Sequence, residues 1–387
     1  MLEAGVVSTL IRSTEAAAIL GVSKATLYAY VSRGRLSRTT APDGRTSLFA
    51  RDEVQQLAER SRRAPSGPRA TIDVQIASGV TTIDEHALSF RGIDAIDLAK
   101  TRRFEDVAEF LWSGDGDAPS ARWPSAEPTL RAALSPIADL AISPIARIAT
   151  AGHVLAACHP DDRAADAARR LLVAAPSALG ATRTTGRFAA RLASAWRRRP
   201  SVELVDAVDT ALVLLADHEL ATSTLAVRIA ASVRASPYTA FASGLATIEG
   251  RLHGSAAVEV SRFLAACAET EPSAVLAQHR AQRQPVPGFG HKVYRGVDPR
   301  YPLLWEHVRR LDPVEADLLD VVVAEAGRTT PHQPNIDLAI GAFTRAAGLE
   351  PDVPIFAVAR IAGWAAHFAE ELDERPLRFR GVATPTA

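Results

Sequence analysis

Residues 287–300 read PGFGHKVYRGVDPR: two glycines flank an aromatic, a histidine follows, and arginines and an aspartate close the run. Four other segments concentrate His, Arg and Asp: LLADHELATST (214–224), RLHGSAAVEV (251–260), PNIDLAIGAF (334–343) and IFAVARIAGWAAHFAEELDERP (355–376), the last adding two arginines. These runs lie in a stretch, about 71 to 380, whose apolar pattern is mostly helical with short Pro- and Gly-marked breaks. The exception is VQIASGVTTIDEHALSFRG (74–92), whose short alternating runs predict a small hairpin. The expected fold class is therefore all-α for this region, with no internal repeat.

Bulk composition sets the frame. A chain of 387 residues with 47% hydrophobic and 23% charged side chains has room for two or three domains and a sizeable core. Lys+Arg and Asp+Glu both total 44, so net charge points to neither a nucleic-acid nor a membrane partner for the whole molecule. Two cysteines, Cys158 and Cys267, argue against a disulfide framework and suit a reducing compartment. The opening MLEAGVVSTLIRSTEAA has no basic leader before an apolar run, and no stretch reaches about 18 apolar residues. A cytoplasmic protein is expected.

Residues 1–63 differ from the rest. They read as two short helices, TEAAAIL and KATLYAYVSRG, started by Ser13 and Ser23 and separated at Gly21-Val22. An Asp43-Gly44 turn and a third helix, RDEVQQLAERSRR, follow. Ten Lys/Arg against six Asp/Glu in residues 1–65 leave a local excess of +4. Through EAAAILGVSKATLYAYVSRGRL and the DGR turn, this zone resembles winged helix-turn-helix domains of the MerR and excisionase type. If it contacts DNA, Lys24, Thr26, Tyr28, Arg33 and Arg45 are the side chains expected at phosphates or base edges; the other reading is a packing or dimerisation module. Residues 64–73, rich in Ser, Arg, Pro and Gly, read as a linker, and 74–382 as the main, mostly helical domain.

GFGHKVYRGVDPR resembles the signature of the citrate synthase family, and the other four segments follow in the family's order at similar spacing. The resemblance covers about residues 74–380. It implies a citrate synthase fold of large and small helical domains, with the active site in the cleft between them. It also implies an acyltransferase that condenses acetyl-CoA with oxaloacetate and water to give citrate and CoA, a reaction of the tricarboxylic acid cycle.

Making a carbon nucleophile from a thioester needs a carboxylate base and a neutral donor aimed at the thioester oxygen. Oxaloacetate, a dianion with a ketone, needs arginines for its carboxylates and a donor for its ketone. By resemblance Asp337 is the base, His253 holds the enolised thioester and His291 donates to the ketone. His218, Arg300, Arg360 and Arg375 bind oxaloacetate, Arg375 coming from the partner subunit of a dimer. Pro287, Gly288, Phe289 and Gly290 resemble the loop that receives the CoA adenine, its glycines allowing close backbone approach, and Arg295 is a candidate for a CoA phosphate. Taken alone, Asp337 could be a helix N-cap. His153, Cys158, His159, His332 and His367 look structural, and no metal or redox cofactor is expected.

The sequence departs from the family pattern at four places, one being the tail RPLRFRG, a residue shorter than the family's common RP-to-Tyr-Gly ending. GSAA (254–257) stands where the family has Gly-Gly-Ala-Asn, Ala221 where Asn is common, and Leu215 where a second His is frequent. None removes a group assigned to proton transfer, but the acyl-CoA choice stays open. Two alternatives remain: a 2-methylcitrate synthase using propionyl-CoA, and a DNA-binding metabolite sensor whose synthase-like domain does not turn over.

Overall fold

The computed structural model describes residues 10–20, 22, 24–32, 36–41, 43, 46–62, 75–117, 120–250, 253–254 and 256–380. The chain divides into two units, Met1–Ile76 and Ala77–Ala387.

In the first unit, α1 (Ser13–Leu20) and α2 (Lys24–Ser32) are the two expected helices, and α3 (Arg51–Arg62) follows. Ile11, Ala16, Leu27, Leu36, Phe49 and Val54 bury a core of their own. The expected wing is β2 (Thr39–Thr40) paired antiparallel with β3 (Ser47–Ala50), Thr39 opposite Leu48. Asp43 tightens the turn, its carboxylate accepting the Thr46 backbone N–H at 2.8 Å. The sequence reading misses β1 (Leu10–Arg12), which takes the other edge of β3 with Ile11 opposite Phe49; three residues are too few for alternation to register. Gly21, Ser23, Arg33, Gly34, Gly44, Arg45 and the linker at 64–73 lie outside the described residues.

The second unit opens on a three-stranded antiparallel sheet, β4 (Thr81–Ile83), β5 (Leu88–Phe90) and β6 (Ile93–Asp94). This is the hairpin expected at 74–92, extended by one strand. Helices follow: α4 (Ala95–Thr101), α5 (Phe104–Ser113), α6 (Pro128–Leu134), a 3-10 turn (Ser135–Asp139), α7 (Pro144–Cys158), α8 (Ala164–Ala178), α9 (Phe188–Trp196) and α10 (Val202–Leu214). Then come α11 (Thr222–Ser232), α12 (Pro237–Ile248), α13 (Ala256–Glu269), α14 (Pro272–Ala281), α15 (Tyr301–Leu311), α16 (Pro313–Thr329), α17 (Ile336–Ala346) and α18 (Ile355–Asp373).

Local chemistry sets many of these starts. Side-chain oxygens of Asp94, Ser143, Ser201, Ser236, Asp312 and Asn335 accept first-turn N–H groups of α4, α7, α10, α12, α16 and α17. Each such cap is worth about 1 kcal/mol against alanine. Pro144, Pro237 and Pro313 stand next to their caps, where a missing N–H costs no helical hydrogen bond.

Helix α18 runs through the core, packed against α5, α8, α10, α11 and α12. Fully burying an aromatic such as its Trp364 contributes about 2–3 kcal/mol. The same burial forces its Arg360, His367 and Glu371 to find partners or serve a site. Helices α13–α17 pack chiefly on one another, and α15 on α10 is their principal helix contact with the rest of the unit. No described helix is long and apolar enough to cross a membrane.

Candidate active site

A cleft of about 490 Å³ is lined by His218, His253, His291, Arg300, Asp337 and Arg360, together with Gly290, Asn335 and Phe356. Six predicted side chains from five separate segments thus share one cavity. Size alone does not select it. A mostly apolar cavity of about 580 Å³ beside α6–α8 is larger, but its Arg169 and Arg170 are already paired with Glu109, Asp166 and Asp162. Chemistry converges only on the first.

The imidazoles are held neutral with defined tautomers. His291 Nδ1 accepts the backbone N–H groups of Val293 at 3.1 Å and Tyr294 at 3.3 Å, which puts the ring proton on Nε2. His253 Nε2 accepts the Ser223 backbone N–H at 3.3 Å and lies 2.9 Å from the Ser223 hydroxyl, leaving Nδ1–H as the free donor. Burial, then the neighbouring positive charges, lowers both histidines from their ordinary value. His218 is pushed well down for the same reasons, burial first and then Arg300 and Arg360. Its Nε2 lies 3.2 Å from the Tyr294 hydroxyl.

Asp337 is not the N-cap of α17. Asn335 takes that place, its side-chain oxygen accepting the N–H groups of Asp337 at 3.0 Å and Leu338 at 3.3 Å. Asp337 is the second residue of the helix and opens on the cleft. Burial pushes its carboxyl up to about 6, with Arg300 pulling the other way.

The two arginines are anchored differently. Asp298 clamps Arg300, its oxygens accepting from Nε at 2.9 Å and Nη2 at 2.8 Å. The same carboxylate accepts the Ile336 N–H at 3.2 Å, which ties the end of the 287–300 motif to the start of α17. Arg360 is 1% exposed, and its Nε and Nη1 have no hydrogen-bond partner. Burial lowers its pKa to about 10, offset in part by Asp217, so it stays charged at neutral pH. A buried cation with orphaned donors is costly unless an anion arrives.

Behind the cleft stands a polar chain that sequence reading did not find. Asp217 accepts from Thr81 Oγ1 at 2.6 Å and lies 3.1 Å from His367 Nε2. The other His367 nitrogen meets Arg228, which pairs with Glu370 and Glu371, and Glu371 pairs with Arg378. Gly363 makes this possible, since a Cβ there would collide with Asp217 Oδ1. His367 lies in this polar chain and not among the residues that line the cleft. Tyr294, Asp298 and Asn335 were legible in part, lying inside or beside the quoted motifs; Ser223 and Asp217 act on partners far along the chain.

Some predicted residues stand apart from the cleft. Gly288 has φ +81°, and a Cβ would lie 2.7 Å from Leu338 Cβ. Its lack of a side chain allows close contact with α17. The loop is strapped on: the Asn335 N–H donates to Gly288 O at 2.9 Å, and Asn335 Nδ2 to Gly290 O at 2.7 Å. Pro287 and Phe289 are half-buried beside it. Arg295 is exposed and paired with Glu85 at 2.8 Å. Arg375, just beyond α18, is exposed and does not line this chain's cleft. In the first unit, Lys24 and Tyr28 are exposed one turn apart on α2, with Thr26 half-buried between them. Cys267 is buried and Cys158 exposed.

Comparison with known proteins identifies the family and the fold. The family model described as citrate synthase, C-terminal domain, matches residues 73–380, and a helix-turn-helix domain model matches 10–62. A 2-methylcitrate synthase of Mycobacterium tuberculosis is 28% identical over 325 residues, covering 76% of this chain and 83% of the relative. Citrate synthase 2 of Bacillus subtilis is 32% identical over 190 residues, 46% of this chain and 50% of the relative. The fold is shared with citrate synthase from Thermotoga maritima MSB8 at TM-score 0.69 and 20% identity, covering 84% of this chain and 96% of that one. It is shared also with the ternary complex of carboxymethyl coenzyme A and oxaloacetate with citrate synthase from Thermoplasma acidophilum, at TM-score 0.65 and 23% identity, covering 81% and 95%. The chain therefore belongs to the citrate synthase family of transferases, with a helix-turn-helix domain ahead of the family's domain.

Proposed function

We propose that the chain condenses acetyl-CoA with oxaloacetate and water to give citrate and CoA. The observation that carries this reading is the convergence of two neutral histidines with opposite tautomers, a carboxyl near 6 and two buried arginines on one cleft. In this scheme Asp337 removes a methyl proton from the thioester, and its raised pKa suits a base working near neutrality. His253 Nδ1–H stabilises the developing oxygen charge, and His291 Nε2–H polarises the ketone of oxaloacetate. The new carbon–carbon bond forms between the enolised methyl carbon and that ketone carbon, and water then releases CoA. Arg360 and Arg300 hold the carboxylates, with His218 beside them. Pro287–Gly290 and Arg295 receive CoA, and Arg375 of a second copy completes the site in a homodimer. No step calls for a metal or redox cofactor. A Thermoplasma acidophilum relative that binds oxaloacetate and a CoA analogue supports the substrate class.

The M. tuberculosis relative favours a second reading, 2-methylcitrate synthesis from propionyl-CoA. One methylene changes a pocket's discrimination by only about 1–3 kcal/mol. CoA release with oxaloacetate, measured with each thioester on the native chain and on Asp337→Ala, tests both. Release that needs Asp337 supports the synthase, and the preferred thioester selects between the readings. A folded protein that binds oxaloacetate yet releases no CoA from either defeats both in favour of a sensor. The first unit adds DNA contact through Lys24, Thr26 and Tyr28 on α2, with Arg33 and Arg45; retention of a labelled promoter fragment, weakened by Lys24→Glu, tests it.

A further inference from the structure

Helices α10 and α15 lead to the candidate active site at one end: α10 ends shortly before His218, and α15 begins just after Arg300. Farther along both helices from those residues lies a second cavity of about 460 Å³, separate in its lining from the first. Its charge is unbalanced. Lys100 comes from the last turn of α4, Arg102 and Arg103 from the α4–α5 turn, Arg187 from the residue before α9, and Arg310 from the last turn of α15; against these five cations stand Asp206, Asp209 and Glu306.

The pairing inside it is incomplete. Arg187 is paired with Asp206 and lies 3.9 Å from Asp209. Arg310 reaches Glu306 only at 3.8 Å. Arg102 donates to the Gly116 carbonyl. Among the described residues, the Lys100 ammonium and the Arg103 guanidinium have no ion pair. Burial pushes the Asp209 carboxyl up to about 7, so at neutral pH it carries only part of a negative charge. His307, buried on α15, is kept neutral and sits 3.0 Å from Thr210 Oγ1 on α10. That contact crosses the principal joint between helices α13–α17 and the rest of the unit.

We propose that this cavity binds a compact oxyanion carrying two or more negative charges, a phosphate or dicarboxylate group held between Lys100 and Arg103 on one side and Arg310 on the other. Such an anion removes the repulsion among the unpaired cations and ties α15 to the α4–α5 turn. Because Arg300 and His218 lie at the other ends of α15 and α10, holding this joint regulates the cleft's geometry. Binding itself is independent of the reaction proposed above; only its effect on turnover rests on that reading.

Calorimetric titration of the full chain with inorganic pyrophosphate and, separately, with succinate tests the site. The native chain, Lys100→Glu/Arg103→Glu and Arg360→Ala are compared, with Lys100→Gln/Arg103→Gln as a milder second variant. Binding of at least one anion is expected in the native chain and in Arg360→Ala, weakened roughly tenfold or more in both double variants. The preferred anion separates a phosphate ligand from a dicarboxylate. The proposal is overturned if neither anion binds, if binding survives both double variants, or if only Arg360→Ala abolishes it, which places the anion in the catalytic cleft.

Discussion

His253 and Ser223 meet at the N-terminal turn of α11, where the imidazole Nε2 accepts the serine backbone N–H at 3.3 Å and lies 2.9 Å from its hydroxyl. The backbone bond alone suffices to choose the tautomer, and the hydroxyl adds orientation. Ser223→Ala should therefore lower kcat by about tenfold, the worth of one hydrogen bond, and leave KM for oxaloacetate nearly unchanged. Steady-state kinetics checks this; an unchanged kcat refutes the orienting role.

Asp337 must be ionised to act as a base. With its folded carboxyl near 6, kcat/KM for the thioester should fall as pH drops below about 6 and level off above it. Asp337→Asn should remove both the activity and this limb. A pH–rate profile without an acidic limb near 6 counts against Asp337 as the base.

Arg360 has two buried donors without a protein partner. Arg360→Ala should raise KM for oxaloacetate by about 100-fold or more, since a charged hydrogen-bonding pair contributes about 3 kcal/mol. Arg360→Lys should restore only part of this, one ammonium being unable to reproduce the guanidinium fork. Equal KM values for Arg360→Lys and the native chain would disprove bidentate gripping.

Gly288→Ala places a Cβ 2.7 Å from Leu338 Cβ at a backbone φ of +81°. Overpacking and strain together should cost about 1–3 kcal/mol. Urea unfolding should show a lower midpoint at constant slope; a midpoint equal to the native chain's rules out the close contact.

Asp209 links stability to pH. Its folded carboxyl lies near 7, above an ordinary aspartate at about 3.9, so the stability it permits is full below about pH 4 and is lost as pH rises through 7. Asp209→Asn keeps an oxygen for the Phe104 N–H, which the carboxylate accepts at 3.1 Å. The variant should gain more at pH 8 than at pH 5, by at most about 4 kcal/mol at the higher pH. Thermal melts at the two pH values decide; an equal gain at both removes Asp209 as the titrating group.

The cleft-lining side chains and the helices of the first unit were legible from short patterns, whereas the caps of the second unit's helices, equally local, were not read. Asn335 caps α17 through N–H groups two and three residues away, and Ser201 caps α10 across three. The hairpin at 74–92 and the two helices of the first unit follow from equally short patterns, whereas β1 depends on β3 almost forty residues later. The motif around His291 likewise identifies Arg300 and Asp298, only two residues apart.

By itself, then, the sequence determined that the chain is mostly helical, which family it belongs to and which side chains line the cleft, since periodicity and motif spacing are set by neighbouring residues. Tertiary structure alone decided the protonation and freedom of those side chains. The His253 tautomer comes from Ser223, thirty residues away, and Asp217 is held by His367 across 150. Only packing leaves Arg360 with orphaned donors, pairs Arg295 with Glu85 and keeps Arg375 outside its own chain's cleft. Desolvation and pairing depend on what surrounds a group in space, and only the folded chain brings those surroundings together.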